Sequence, residues 1–216
     1  MTDPRDTGNA PEISPTPPGS IAVSGLSCPV PAEDGDRVLL GHGSGGKLSA
    51  RLIRDRFLPR FSNPALGQLG DGAIMPLGRE RFVISTDTFV VSPLEFPGGD
   101  IGLLAVHGTL NDVAMMGAEA VCLSSGFVLE EGLPLEVLDR VLDSMARAAG
   151  EAGVPLVTGD TKVVERGKAD GLYVNTTGIG RLREGFEPAP DRAEPGDVVL
   201  VSGPIGRHGI AVMSVR

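Results

Sequence analysis

Four aspartates stand in settings that suit the binding of a metal ion and phosphate groups. Three of them lie beside glycine or threonine at the end of an apolar run, in the segments LGDGA, STDT and TGDT, and the fourth lies inside an apolar helical pattern. They are Asp71, Asp87, Asp160 and Asp112. A carboxylate buried alone in such a helix would be costly. Mg²⁺ takes carboxylate oxygens and keeps waters and substrate phosphates as its other ligands. Together, the four positions predict a site for Mg²⁺ and ATP.

Each of these residues also has a simpler interpretation. Asp71 and Asp160 are typical of turns, Asp87 of a hairpin, and Asp112 of the solvent edge of a helix. The segment TGDTKVV (158–164) follows an apolar run, so its glycine and opposite charges suit a tight turn as well as a phosphate and metal site. Lys162 by itself is consistent with a surface lysine. Only the joint pattern favours the site.

The segment GHGSGGK (41–47) has the glycines and the lysine of a phosphate-binding loop. The template G-x-x-x-x-G-K-[ST] fails at its last position, Leu48, which lacks the hydroxyl that binds Mg²⁺. The apolar run before the loop is also short, so a Walker-type loop is rejected. Two interpretations remain, a flexible loop whose backbone N–H groups wrap phosphates and a solvated turn before a helix.

The composition limits the class of protein. The chain has 216 residues, 41% of them hydrophobic, which is enough for one large domain with a core. Its net charge of −9 argues against nucleic-acid or anionic-membrane binding by bulk attraction. Two separated cysteines, Cys28 and Cys122, and scattered histidines argue against a zinc site. With no long apolar run and no visible signal peptide, the expected location is the cytoplasm.

The elements that must position these residues follow from hydrophobic periodicity and from capping residues. Residues 1–37, rich in Pro, Ser and Gly, are expected to be a disordered extension. Helices are predicted at 47–58, 98–118 and 134–153, and strands at 81–93, 120–130, 154–158, 172–180 and 197–202. We expect Pro59 to close the first helix, Asp100 to cap the second, Gly117 to stop the second, and Gly150 or Gly153 to stop the third. Since few helices accompany many strands, an α+β fold is predicted, with helices packed on one face of a sheet.

Six segments together resemble the HypE family of hydrogenase maturation factors. They are GHGSGGK, STDTFVVSPLEFPGG, GTLNDVAMMGA, LSSGFVLEEGLP, VTGDTKVVERG and NTTGIG, between about Val38 and about Gly209. That family belongs to the superfamily of aminoimidazole ribonucleotide synthetase, selenophosphate synthetase and thiamine-monophosphate kinase. The resemblance implies a PurM-like N-terminal ATP-binding, dimerising domain over 38–202, and the start of a second domain over 203–216. The rest of that second domain, with the family's cysteine tail, is expected outside these 216 residues.

The resemblance also implies an activity. HypE-like proteins accept a carbamoyl group on a C-terminal cysteine and use ATP to dehydrate it to a thiocyanate, the source of a cyanide ligand in nickel–iron hydrogenases. The implied cofactors are ATP and Mg²⁺. The implied partners are a second copy, paired through strands of 81–92 and 120–130, the carbamoyltransferase HypF, and the HypC–HypD complex. Two alternatives stay open, namely a nucleotide-binding and dimerisation module without turnover, and a related ATP-dependent small-molecule kinase or synthetase.

The family's functional residues can be transferred to matching positions of this chain. Asp71, Asp87, Asp112 and Asp160 would hold Mg²⁺, while Lys162 and Asn111 would contact the phosphates or the reacting group as catalytic residues. The implied nucleotide-binding residues are Gly43, Ser44, Gly45, Gly46, Lys47, Asp87, Thr158, Gly159 and Thr161.

Overall fold

The computed structural model describes residues 37–61, 63–186 and 188–216. The chain divides into two units, one ending at Leu52 and the other running from Ile53 to Arg216. In the first, a 3₁₀ helix at Leu40–Gly43 is followed by helix α1 (Lys47–Leu52). The extension predicted over 1–37 lies outside the described residues apart from Arg37. It therefore stays a prediction.

The second unit is built on a five-stranded mixed sheet and a small hairpin. The strands are β1 (Ala73–Leu77), β2 (Glu80–Phe89), β3 (Glu95–Phe96), β4 (Gly99–Asp100), β5 (Ala118–Glu130), β6 (Leu156–Val164) and β7 (Leu172–Leu182). The five long strands lie in the order β1-β2-β7-β5-β6, whereas β3 and β4 pair only with each other. The pairing of β5 with β6 is parallel, and all the other pairings are antiparallel.

The main helices cover one face of this sheet. The helical segments of the unit are a π-helix (Ile53–Phe57), α2 (Leu58–Phe61), 3₁₀ turns at Leu66–Gln68 and Pro190–Arg192, α3 (Ile101–Met115), α4 (Leu135–Ala152) and α5 (Arg207–Met213). Helix α3 packs on β2, β5 and β7, and α4 packs beside α3. Both helices contribute to the core that covers Leu123, Leu172 and Val174 of the sheet. The predicted α+β fold, with helices on one face, is confirmed.

Two predicted helix boundaries are confirmed in atomic detail. Asp100 caps α3, because its Oδ1 accepts a hydrogen bond from Leu103 N at 2.9 Å. Its Oδ2 also accepts a hydrogen bond from Ser144 Oγ of α4 at 2.6 Å, so that one carboxylate ties the two helices together. Of the two glycines predicted to end α4, Gly150 lies within the helix and Gly153 ends it with a φ of 67°, a left-handed conformation that glycine adopts without steric cost.

Other predicted boundaries are wrong. The first helical run does not stop at Pro59 but continues to Phe61, because α2 starts at Leu58 and places the proline in its first turn, where no N–H is required. Strand β1 was not predicted. No strand forms over 197–202, where the side chains of Val198, Val199 and Leu200 are 80%, 88% and 87% exposed. A strand needs a hydrogen-bonded neighbour, and the described part of the chain gives this segment none.

The segment TGDT is neither a turn nor the end of a strand. Strand β6 runs through it without interruption from Leu156 to Val164 and forms an edge of the sheet. The apolar residues around it are largely exposed, including Val157 at 60% and Val163 at 68%. Within the described ranges, no helix has the length and hydropathy needed to cross a bilayer.

Candidate functional site

Three of the four aspartates come together on the helix-covered side of the sheet. Asp71 precedes β1, Asp87 lies in β2, and Asp112 lies in the last turn of α3. They meet around Ser85, whose Oγ lies 2.7 Å from the main-chain oxygen of Asp71 and 3.2 Å from Asp112 Oδ2. We call Asp71, Asp87 and Asp112 the acidic cluster.

Strand alternation brings Asp87 into this cluster. Val83 and Ser85 are buried on the face of β2 that meets α3, and Asp87 follows at the same period of two. A Cβ atom at Gly108, one turn before Asp112, would lie 3.6 Å from Asp87 Oδ2. The carboxylate of Asp87 therefore faces the turn of α3 that leads to Asp112.

The carboxylates of the acidic cluster act on one another electrostatically. Burial raises the pKa of Asp112 above its usual value, and the negative charges of Asp87 and Asp71 raise this pKa further. The hydrogen bond from Ser85 opposes both effects and lowers the pKa of Asp112. A half-buried carboxylate beside two like charges favours the arrival of a cation, which would relieve the repulsion.

Two glycines of β7 allow α3 to come close enough to build this arrangement. A Cβ atom at Gly178 would lie 2.9 Å from Thr109 Cγ2 and from Val113 Cγ2, closer than side chains normally approach. A Cβ atom at Gly180 would overlap Val113 Cγ1. Helix α3 therefore rests on the backbone of β7. This explains the two glycines of the NTTGIG segment.

Asp160, the fourth aspartate, lies elsewhere. Asp87 pairs across the strands with Thr176, Thr176 with Ser125, and Ser125 with Gly159. Three strand spacings, about 14 Å, therefore separate Asp87 from Gly159. Asp160 then falls in the next register row, with its side chain on the opposite face of the sheet. Within this single chain, the structure brings three of the predicted metal ligands together and leaves Asp160 apart.

Lys162 accompanies Asp160 rather than the acidic cluster. Its Nζ lies 3.3 Å from Asp160 Oδ2, and the two side chains are 73% and 72% exposed. Such an exposed ion pair contributes little to stability. The glycine between Thr158 and Asp160 has a different cause, since a Cβ at Gly159 would lie 2.5 Å from the main-chain oxygen of Ser125. Gly159 thus lets β6 approach β5 closely, which answers why TGDT contains a glycine.

The other predicted site residues belong to three different elements. Asn111 is exposed on α3, next to Asp112. Along β6, Thr158 shares the face of Asp160 and Lys162, while Thr161 alternates to the other face. The Gly43–Lys47 segment belongs to the first unit, where Ser44 Oγ donates to Gly41 O and Gly45 N donates to Ser49 Oγ. It follows a 3₁₀ helix and not a strand, in agreement with the rejection of a Walker-type loop.

The donor atoms of the acidic cluster fit a hard cation such as Mg²⁺. In the described ranges, no three His, Cys, Asp or Glu side chains are close enough to hold one metal ion without help. Mg²⁺ does not need three, because it binds through one or two carboxylates and completes its shell with waters and substrate phosphates. The roles of the four aspartates as ligands stay a prediction.

Two residues of the site were missed by the sequence reasoning. Ser85 links the acidic cluster, and the period of two along STDT would have placed it on the side of Asp87. Asn175 of β7 holds Asp87 from the other side of the sheet, because its Nδ2 donates to Asp87 O at 2.9 Å and to Thr88 Oγ1 at 3.0 Å. Only the pairing of β2 with β7 reveals that contact.

Known proteins share both the sequence and the fold of this chain. The family model "AIR synthase related protein, N-terminal domain" matches residues 69–182. A carbamoyl dehydratase HypE of Rhizobium leguminosarum bv. viciae is 53% identical over 180 residues, which are 83% of this chain and 51% of that protein. The chain spans about half the length of the curated relatives it matches.

Two solved structures support the same assignment. One is a HypE–HypF complex, with 50% identity, a TM-score of 0.71, and coverage of 76% of this chain and 53% of the other. The second is the maturation protein HypE in complex with ATP, with 54% identity, a TM-score of 0.62, and coverage of 83% and 53%. The chain therefore belongs to the AIR synthase-related family, whose N-terminal domain it carries, and is homologous to the N-terminal half of HypE carbamoyl dehydratases.

Proposed function

We propose that this chain supplies the ATP-binding half of a HypE-type carbamoyl dehydratase. The observation that carries the proposal is the position of the acidic cluster, which gathers carboxylates from three separate elements on one side of the sheet. It lies in the part of the chain that is similar to a HypE solved with ATP. Charged groups that face one another at a half-buried position are typical of sites that bind a cation and phosphates.

In the proposed reaction, ATP phosphorylates the oxygen of a carbamoyl group on a cysteine sulfur. That oxygen then leaves as phosphate, the nitrogen gives up its two protons, and a thiocyanate remains, together with ADP. One or two carboxylates among Asp71, Asp87 and Asp112 would hold Mg²⁺ together with waters and phosphate oxygens, and Mg²⁺ neutralises phosphate charge when bound. Asn111 would donate to a phosphate oxygen. Lys162, which now pairs with Asp160, would offer its ammonium to the phosphates or the reacting group.

The first test is nucleotide binding by the wild-type chain. We expect calorimetric titration to show binding of ATP with Mg²⁺ and much weaker binding with the metal chelated, because the acidic cluster alone repels phosphate. No binding at millimolar Mg²⁺–ATP would contradict the proposal. The second measurement adds a peptide with a carbamoylated cysteine to the chain and Mg²⁺–ATP. Binding of ATP without release of phosphate would favour the nucleotide-binding module. ADP formation on addition of a small-molecule acceptor would favour the kinase alternative.

We propose that two copies pair through the face of the sheet that the helices leave open. Paired neighbours form an apolar row on that face, across four strands: Ala73, Ile84, Ile179 and Cys122. Ile84 and Ile179 are 41% and 36% exposed at its centre, although they are large apolar residues. Burial of such a row between two copies would be favourable. Asp160 and Lys162 lie on this same face, so pairing would place them at the interface between copies.

The substitution Ile179→Lys tests this assembly. A charge in the centre of the apolar row should convert a dimer to a monomer, because it cannot be buried against a second copy without a partner. The measurement is sedimentation velocity at roughly tens of micromolar protein, where a stable dimer persists. Leu135→Lys is the matched control, since Leu135 is 74% exposed at the start of α4. A monomeric wild type, or a dimeric Ile179→Lys, would disprove pairing through this face.

We also propose a HypF-type carbamoyltransferase as a partner. Its support is the similarity of this chain to the HypE of a solved HypE–HypF complex. The HypC–HypD complex is proposed from the family resemblance alone.

A further inference from the structure

Ser85 is a buried serine of the sheet whose hydroxyl contacts two other elements of the fold. It is only 2% exposed, and its Oγ reaches two members of the acidic cluster that lie 14 and 27 residues away in the chain. The third member, Asp87, is two residues further along the same face of β2. A single side chain therefore connects the turn before β1, strand β2 and helix α3.

The two contacts compete for one proton. A serine hydroxyl has one hydrogen to donate, and both acceptors are oxygens. The distance of 2.7 Å to Asp71 O suits an O–H donor, whereas 3.2 Å to Asp112 Oδ2 is long for one. The hydroxyl therefore mainly fixes the main chain at Asp71. The carboxylate of Asp112 is held nearby with its hydrogen-bond acceptor capacity only partly met, which leaves it available to a cation.

The surroundings of Ser85 support this arrangement. Its cross-strand neighbour is Gly178, which has no side chain and leaves room for α3. Because α3 carries Asp112, the close approach of the helix to Gly178 places the Asp112 carboxylate beside Ser85. A larger neighbour would hold the helix away and separate the two.

We propose that Ser85 is a positioning residue for the cation of this site: by holding the Asp71 main chain and the Asp112 carboxylate on one hydroxyl, it sets the separation of the carboxylates that bind the metal. This inference rests on the proposed function, because it assumes that the acidic cluster binds a divalent cation with ATP. Groups that orient metal ligands without touching the metal typically change its affinity by about 10- to 100-fold when removed.

The test uses Mn²⁺ as the probe, with binding to the full 216-residue chain followed by electron paramagnetic resonance. Ser85→Ala should lower the affinity for Mn²⁺ by about tenfold or more. Ser85→Thr, which keeps the hydroxyl, should restore most of it. Ser125→Ala is the matched control, because Ser125 is also 2% exposed and lies in the same sheet, but its Oγ donates to Asn175 O and contacts no member of the acidic cluster.

The outcomes separate this inference from the proposed function. Wild-type affinity in Ser85→Ala, or equal losses in Ser85→Ala and Ser125→Ala, would overturn the positioning role and leave ATP binding by the wild type intact. If the wild-type chain binds neither Mn²⁺ nor Mg²⁺–ATP, both the proposed function and the inference fail. Melting curves of the three variants, recorded without metal, show whether each one folds. If Ser85→Ala does not fold, the test passes to Ser85→Thr. A Ser85→Thr variant that folds but shows no detectable binding of Mn²⁺ would overturn the role.

Discussion

Asp87→Asn should remove most of the thermal stabilisation that Mg²⁺–ATP gives the wild-type chain. A ligand at one hundred times its dissociation constant stabilises a protein by about 2.7 kcal/mol. For a chain of this size, each kcal/mol raises the melting temperature by about 2–4 °C. Asp87 faces the turn of α3 that leads to Asp112. Replacing its carboxylate by an amide would therefore remove one negative charge from the acidic cluster. We therefore expect a much smaller shift in the variant.

The same substitution should not destabilise the ligand-free protein. Burial and the like charges of Asp87 and Asp71 raise the pKa of Asp112, so the ionised form of Asp112 is disfavoured in the folded state. This penalty on folding is present above the folded pKa and disappears as the pH falls below it. Asp87→Asn removes one of the repelling charges. The melting temperature without ligand should therefore stay the same or rise at neutral pH.

Differential scanning fluorimetry with and without Mg²⁺–ATP measures both effects. Asp139→Asn removes the same charge from an exposed position on α4 and should keep the wild-type shift. Asp160→Asn tests the carboxylate on the opposite face, and a reduced shift is expected for it where the proposed pairing of two copies brings Asp160 to the nucleotide. Lys162→Ala should weaken phosphate binding with less dependence on the metal. Equal ligand-induced shifts in wild type and Asp87→Asn would mean that Asp87 does not help to bind Mg²⁺–ATP, and an equal shift in Asp160→Asn would mean the same for Asp160.

The local signals of the sequence were sufficient for helices α3 and α4 and for their packing on one face of the sheet. Asp100 lies immediately before an apolar helical pattern, and its carboxylate accepts the capping hydrogen bond that this position predicts. Gly153 follows the amphipathic pattern of α4 and adopts the expected left-handed conformation. These features depend on neighbours in the chain, so a sequence contains them directly.

The arrangement of the site depends on strand pairing, which no local pattern specifies. The order β1-β2-β7-β5-β6 is not the order of the chain, and β6 pairs in parallel with β5. A change of one residue in register moves a side chain to the other face of a sheet. The sequence pattern predicted that Asp87 and Asp160 take part in one site. Because it does not specify strand register, it could not show that the two side chains lie on opposite faces of the sheet. For the same reason, it missed the link through Ser85.

Gly180→Ala should strongly destabilise the packing of α3 on the sheet. The added Cβ would overlap Val113 Cγ1 of α3 and lie 3.0 Å from both Ala118 Cβ and Glu119 O. Val113 is fully buried, and the backbone of β5 cannot move without breaking its pairing with β7. Overpacking of this kind typically costs about 1–3 kcal/mol and occasionally more. We expect a fall in the melting temperature of about 2–4 °C per kcal/mol.

The effect should extend from the core to the acidic cluster. If α3 is pushed away from β7, Asp112 moves away from Ser85, so the variant should also gain less stability from Mg²⁺–ATP. Gly150→Ala provides the matched control, because a Cβ at Gly150 in α4 would meet no atom within 4 Å. Replacing a helical glycine by alanine should stabilise the chain by about 0.4–1 kcal/mol and keep the ligand-induced shift. If Gly180→Ala melts at the wild-type temperature, α3 does not rest on the backbone of β7, and close packing cannot be what positions Asp112.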